Sequence, residues 1–160
     1  MKKLLLVCAL LCTAAVCVNA QNLSSLSKAA KLAYNYLQNE GYKPYIDEDN
    51  DVVFKVQGYS FYVDNNRDDE TYLRIVLPAI KELDDDDDIA ETLAALASCN
   101  EITRTKKLVM AYMSDEGVVS LATETYIGDS PDISEFVDTS IDFLIRSCTS
   151  WREKFKEFLN

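Results

Sequence analysis

Hydrophobic positions recur along the chain with two different periods. Between residues 42 and 77 they alternate: Val52, Phe54 and Val56, then Tyr59, Phe61 and Val63, then Leu73, Ile75 and Leu77. A period of two belongs to a strand with one buried face, so residues 52–57, 59–64 and 71–77 are predicted strands and these nine side chains the predicted core set. Gly58 and the Asn65-Asn66 pair are joints short enough to fold neighbouring strands back antiparallel. The opposite face carries Val53, Lys55, Gln57, Ser60, Tyr62, Asp64, Tyr72, Arg74 and Val76. That mixture is too rich for an indifferent surface and too polar for a sealed core, which makes Tyr62, Tyr72, Arg74 and Val76 the candidate partner-binding residues. Residues 42–46, interrupted by Pro44, read as a short extended lead at a sheet edge. Pro78 is expected to close the third strand, with one helical turn over residues 79–83.

Elsewhere the period is helical. Leu23, Leu26, Ala30, Ala33, Tyr34 and Leu37 predict a helix over residues 23–40, capped by Asn22 or Ser24 and stopped at Gly41. A second helix is predicted over residues 89–99, with Ile89, Leu93, Leu96 and Ala97 facing inward. Residues 107–113 and 117–127 read as a hairpin joined through residues 114–117, and the longer, β-branched arm suits a central strand. Ser130-Pro131 offers a cap and a proline at the first helical position. From there Ile133, Val137, Ile141, Leu144, Cys148, Trp151, Phe155 and Phe158 form one stripe to the end of the chain. Phe136 and Phe143 widen that stripe beyond a coiled-coil seam, so it is assigned as a lid on the sheet, with Trp151 its anchor. The expected fold is α+β: an antiparallel sheet of about five strands covered by helices, in the order α-β-β-β-α-β-β-α.

The first twenty residues change the picture of where this domain works. Met1-Lys2-Lys3, an apolar run over residues 4–18 and the Val18-Asn19-Ala20 exit have the form of a secretory signal peptide cleaved after Ala20, leaving one domain over residues 21–160. The residues before Cys12 and Cys17 fit a lipoprotein signal poorly, and nothing after the leader is apolar enough to span a bilayer. The expected location is therefore the periplasm or the extracellular space. Without Lys2 and Lys3 the remaining chain has 14 basic and 27 acidic residues, a balance of −13, and no histidine. Nucleic acid and anionic lipid are unsuited as partners, since binding either depends on Lys and Arg, whereas a cationic partner is easily accommodated.

Candidate chemistry is sparse. Two cysteines remain after the leader, Cys99 and Cys148, a permitted disulfide in an oxidising compartment but more simply two reduced core residues. Asp47, Asp49 and Asp51 match in part the first half of a calcium loop, but Val52 occupies the position that needs glycine, so the segment is read as a solvated turn. The five aspartates 84–88 are read as a solvated linker facing the next helix, with Asp84, Asp86 and Asp88 as weak calcium candidates. No histidine means no Ser-His-Asp or Cys-His pair, and the four glycines Gly41, Gly58, Gly117 and Gly128 are isolated, so no phosphate loop exists. No catalytic residue and no cofactor is assigned.

The order of elements, with residues 37–44 (Leu37-Gln38-Asn39-Glu40-Gly41-Tyr42-Lys43-Pro44), 47–54, 58–63 and 72–78, and Lys106-Lys107 opening the hairpin after Asn100, resembles the YbjN-like family and the wider type III secretion chaperone-like fold. The resemblance covers nearly the whole chain after the leader and is carried by turns and alternation. It implies an α+β sandwich, often dimeric, that binds a polypeptide and has no catalytic residues; no functional residue carries over. Secretion chaperones and typical YbjN-like proteins act in the cytoplasm, whereas this chain opens with an export signal. The expectation is an exported, non-enzymatic protein-binding module, chaperone-like or regulatory, engaging a partner through the mixed sheet face or a sheet edge. The alternative is a weak calcium binder or a self-associating structural protein of the cell envelope.

Overall fold

The structure, a computed structural model, describes residues 23–83, 89–129 and 132–160. The predicted leader and the candidates Asp84, Asp86 and Asp88 lie outside the described residues, as does the predicted Ser130-Pro131 cap. Three helices and six strands follow in the order α1 (Lys28–Asn39), β1 (Tyr45–Ile46), β2 (Val52–Val56), β3 (Tyr59–Val63), β4 (Tyr72–Glu82), α2 (Ile89–Thr105), β5 (Val109–Met113), β6 (Val118–Tyr126) and α3 (Ser134–Leu159). The strands form one antiparallel sheet in the order β1-β2-β3-β4-β6-β5, with the long β6, expected to be central, paired on both sides but next to the edge strand β5. The sixth strand is the two-residue β1, which pairs Tyr45 with Val53 at the edge.

One face of the sheet is covered. Val52, Phe54, Phe61, Val63, Leu73, Ile75, Leu77, Val109, Ala111, Val119 and Leu121 meet Ala30, Ala33 and Leu37 of α1 and Val137, Leu144, Cys148 and Trp151 of α3 in a single core. Phe54 and Phe61 stack at 5.3 Å, and Trp151 stacks on Phe155 at 5.0 Å. Two of the nine predicted core side chains, Val56 and Tyr59, sit at the tip of the β2–β3 hairpin and are only half buried.

Four expectations need correction. The first helix does not run from residue 23: a separate turn at Leu23 is followed by a break, and Ser27 becomes the cap, its hydroxyl accepting from the Ala30 amide at 3.1 Å. Strand β4 does not end at Pro78. Pro78, Ala79 and Ile80 bulge opposite the single Ser120, whose hydroxyl accepts the Ala79 amide at 3.4 Å, and pairing resumes at Lys81. A proline is tolerated there because the bulge asks no ladder bond of it, and Ala79 takes the positive φ of 51° that turns the chain. Helix α3 begins at Ser134, where the Asp132 carboxylate accepts both the amide and the hydroxyl of Ser134.

The fourth correction concerns α2, which extends to Thr105 and is rotated from its expected orientation. Ile89, Leu93 and Leu96, expected inside, are 75%, 60% and 46% exposed, while Ala94, Ala95, Ser98, Cys99 and Ile102 are buried. Small side chains let α2 approach α3 closely, so contact area on that side replaces the larger residues. At its far end α2 shields the sheet: the Thr103 hydroxyl donates to the Ala111 carbonyl at 3.2 Å and accepts the Ala111 amide at 2.9 Å. Both are groups that edge strand β5 would otherwise present unpaired. At the hairpin turn, Gly117 has φ of 79°, and a side chain there would meet the Leu83 carbonyl oxygen at 2.9 Å.

Candidate functional site: the tyrosine-lined sheet face

The face of the sheet turned away from the helices is set by strand parity. Opposed pairs across it are Tyr45 with Val53, Val53 with Tyr62, Tyr62 with Val76, Val76 with Ala122, Arg74 with Glu124 and Tyr72 with Tyr126. Met110 and Tyr112 complete it on β5, opposite Ala122 and Ser120. Tyr62, Tyr72, Arg74 and Val76 therefore do lie on one face, joined by Tyr45, Tyr112, Tyr126 and Glu124, which the reading of the sequence did not single out. The missing signal was the pairing of β4 with β6; once that is known, alternation along β5 and β6 assigns all three of their residues.

These side chains form a connected set. Arg74 sits at the centre, its Nε 3.2 Å from Glu124 Oε1 and an Nη 3.8 Å from Asp64 Oδ2. Its guanidinium lies 5.2 Å from the centre of the Tyr112 ring, a cation–π contact. The Nε is sealed from solvent and out of line for a hydrogen bond, so this is a charge contact rather than a bidentate pair. The Tyr72 hydroxyl lies beside the Glu124 carboxylate, and the Tyr72 and Tyr126 rings form a tilted pair at 5.6 Å.

The Tyr112 phenol lies close enough to Tyr62 to raise its pKa, although the two come from β3 and β5, with β4 and β6 between. That separation is three strand spacings of about 4.8 Å, and the two rings span it as an arch. Beneath it Val76 and Ala122 are both fully buried yet outside the main core. Val76 is thus the floor of the face and has no area to offer a partner, unlike Tyr126, which is 69% exposed. Burial pushes the phenols of Tyr62 and Tyr72 up to about 12. For Tyr62 the neighbouring Tyr112 adds to the rise, and for Tyr72 the carboxylate of Glu124 does. Both are hydrogen-bonding phenols throughout the physiological range. With one cation between two carboxylates, the ionic centre carries a net charge of −1.

The sheet edges are poorly suited to accepting an added strand. Edge β5 is occupied by Thr103, and β1 is two residues long. The turn at residues 47–51 is closed by Asp47, whose Oδ1 accepts the Asp49 and Asp51 amides. Asp51 in turn accepts the Asn65 amide, and Asn65 accepts the Ser27 amide at 2.7 Å. Those carboxylates hold the β2 start to α1. Among the described residues no cluster of three or more histidine, cysteine, aspartate or glutamate side chains is placed to hold a metal ion, and no helix is long and apolar enough to cross a membrane. Cys99 and Cys148 are buried free thiols; the Trp151 indole donates to Cys99 Sγ at 3.4 Å, and burial raises both thiols.

No protein-family model matches the chain, and no curated protein matches it in sequence. Solved structures do. YbjN of E. coli, described as a putative transcription regulator, superposes with a TM-score of 0.57 at 12% identity over 74% of this chain and 86% of YbjN. An uncharacterized protein from Methanothermobacter thermautotrophicus gives 0.55 at 10% identity, over 82% of this chain and 99% of its own. A chain of the HopA1-SchA chaperone-effector complex gives 0.54 at 12% identity, over 84% and 97%. At such identities the likeness is one of fold: helices on one side of a single antiparallel sheet, in the arrangement found in YbjN and in that chaperone-effector complex.

Proposed function

We propose that this chain is an exported, non-enzymatic protein-binding module, chaperone-like or regulatory, that takes a polypeptide on the bare face of its sheet. The observation that carries this reading is the tilted Tyr72–Tyr126 pair beside the Arg74–Glu124 contact, with Tyr72 half buried and Tyr126 exposed. Tyrosine offers a large, stiff, amphipathic contact area, and such side chains are enriched where proteins meet. The surplus carboxylate at the centre favours a partner segment carrying Lys or Arg, in keeping with the acidity of the whole chain. The fold shared with a chaperone-effector complex supports the reading, and the basic-apolar-small pattern of residues 1–20 supports export.

The test is cross-linking in intact cells with a tagged chain, compared with the Tyr72→Ser/Tyr126→Ser variant. A partner recovered in near-equal amount with the first and lost with the second is expected. Equal recovery with both, in a variant that melts like the parent, would move the site off this face.

A second reading is favoured by α2, whose Ile89, Leu93 and Leu96 form an exposed apolar stripe at helical spacing. Self-association through that stripe predicts a dimer by sedimentation that Leu93→Lys converts to monomer; a monomeric parent at tens of micromolar would end this reading.

A further inference from the structure

On the helix-bearing side of the sheet, away from the tyrosine face, a pocket of about 280 Å³ opens between the end of α2, the start of β5 and the middle of α3. Its lining is Thr105, Lys106, Lys107, Val109, Phe143, Arg146 and Ser147. The floor is apolar and deep: Val109 is 4% exposed and Phe143 half buried. Ser147 is 2% exposed and lines the same pocket.

The rim is cationic in a chain whose net charge is −11. Lys106 and Lys107 are exposed and have no acidic partner among the described residues, and Arg146 is held at Nε by Asp142 at 2.8 Å with the rest of its guanidinium free. The dipole at the C-terminus of α2 accounts for cations after Thr105 but not for an apolar pocket beneath them.

We propose that this pocket binds a small organic carboxylate with an apolar body of about one ring and a hydrogen-bonding group. The carboxylate would sit at the rim against Lys106, Lys107 and the Arg146 guanidinium. The ring would lie on Val109 and Phe143, and its polar substituent would meet Ser147. At about 280 Å³ the pocket sits just under the smallest usual ligand pockets, of about 300 Å³, which suits a one-ring ligand, and apolar walls with a few converging polar groups are those of a small-molecule site.

The experiment is an amide chemical-shift titration of the full folded domain with 4-hydroxyphenylacetate, repeated with the neutral 4-hydroxyphenylacetamide and with acetate. Saturable shifts confined to residues 105–109 and 143–147 are expected for the first, with affinity at least about tenfold weaker for either control. Lys106→Glu/Lys107→Glu should weaken binding by a similar factor while leaving the melting temperature alone, because both side chains are exposed and unpaired. Ser147→Ala should weaken 4-hydroxyphenylacetate but not phenylacetate. The proposal fails if no saturable shift develops at millimolar ligand, if the amide binds as well as the acid, if charge reversal has no effect, or if the shifts fall on the tyrosine face.

Discussion

The Arg74–Glu124 contact can be tested by a double-mutant cycle, because Arg74 is the one cation of its cluster and its loss strands two carboxylates. Unit charges 3.2 Å apart attract by about 5 kcal/mol at an effective dielectric of about 20. Arg74 and Glu124 keep 23% and 35% of their side-chain exposure, so solvent screening and desolvation cut the net coupling to about 1–1.5 kcal/mol. The variant Arg74→Met also loses the longer Asp64 contact and the stacking on Tyr112, and should cost about 2–3 kcal/mol in all. Glu124→Gln keeps the shape of the side chain beside the Tyr72 phenol and removes only the charge, so about 1 kcal/mol is expected. The double variant should fall short of the sum by the coupling energy. Urea unfolding followed by Trp151 fluorescence measures all four corners, since Trp151 is the single tryptophan and is 1% exposed. Additivity to within about 0.4 kcal/mol would refute the assignment of Arg74 as the electrostatic centre of the face.

Three further outcomes follow from the same geometry. Tyr62 and Tyr72 hold their protons up to about 12 when folded, against about 10 unfolded, so the native state binds more protons between those values and stability should fall as pH rises from about 10 to 12; Tyr62→Phe/Tyr72→Phe should flatten that fall in alkaline urea titrations. Thr103→Val removes both bonds to Ala111, costing about 1–2 kcal/mol and speeding amide exchange at Ala111, whereas Thr103→Ser should leave exchange there slow. Burial, with Asp64, Asp47 and Asp49 nearby, raises the Asp51 carboxyl despite the Asn65 amide it accepts. Asp51→Asn keeps that acceptor and should melt higher at neutral pH, with the gain shrinking as pH falls through the raised value toward the ordinary carboxylate range, where the parent takes up its proton.

Alternation made β2, β3 and the first half of β4 legible, and with them the sharing of one face by Tyr62, Tyr72, Arg74 and Val76. Period alone cannot report which strands become neighbours, so Tyr112, Glu124 and Tyr126 stayed hidden until β6 was found beside β4. Nor could it report that Val76 is roofed over, because the arch is a tertiary contact between residues 62 and 112. The orientation of α2 was misread for a different reason. Its large apolar residues Ile89, Leu93 and Leu96 suggested the inner side, whereas the helix turns its small ones, Ala94, Ala95, Ser98 and Cys99, to α3. Size and closeness of approach outweighed hydrophobicity there. The break before α1 was invisible because Leu23 and Leu26 continue the helical period across it, while Ser27 and the Glu70 carbonyl, which accepts the Ala29 amide, end it.

Strand β3 is matched to β2 over five residue pairs but to β4 over only two, Tyr62 with Val76 and Val63 with Ile75, before the bulge at Pro78 carries β4 away. The sheet is continuous in topology but lightly stitched along that line. Although one apolar core spans both sides, local opening is expected along this seam, with α1 and β1–β3 as one unit and β4–β6 with α2 and α3 as the other. The first should exchange its amides through partial openings that leave the second folded. Tyr62 belongs to the first unit and Tyr112 to the second, so the approach of their two phenols spans the seam. Anything that settles on the arch would then hold the two units together, and its binding would be felt as slower opening in strands it never touches.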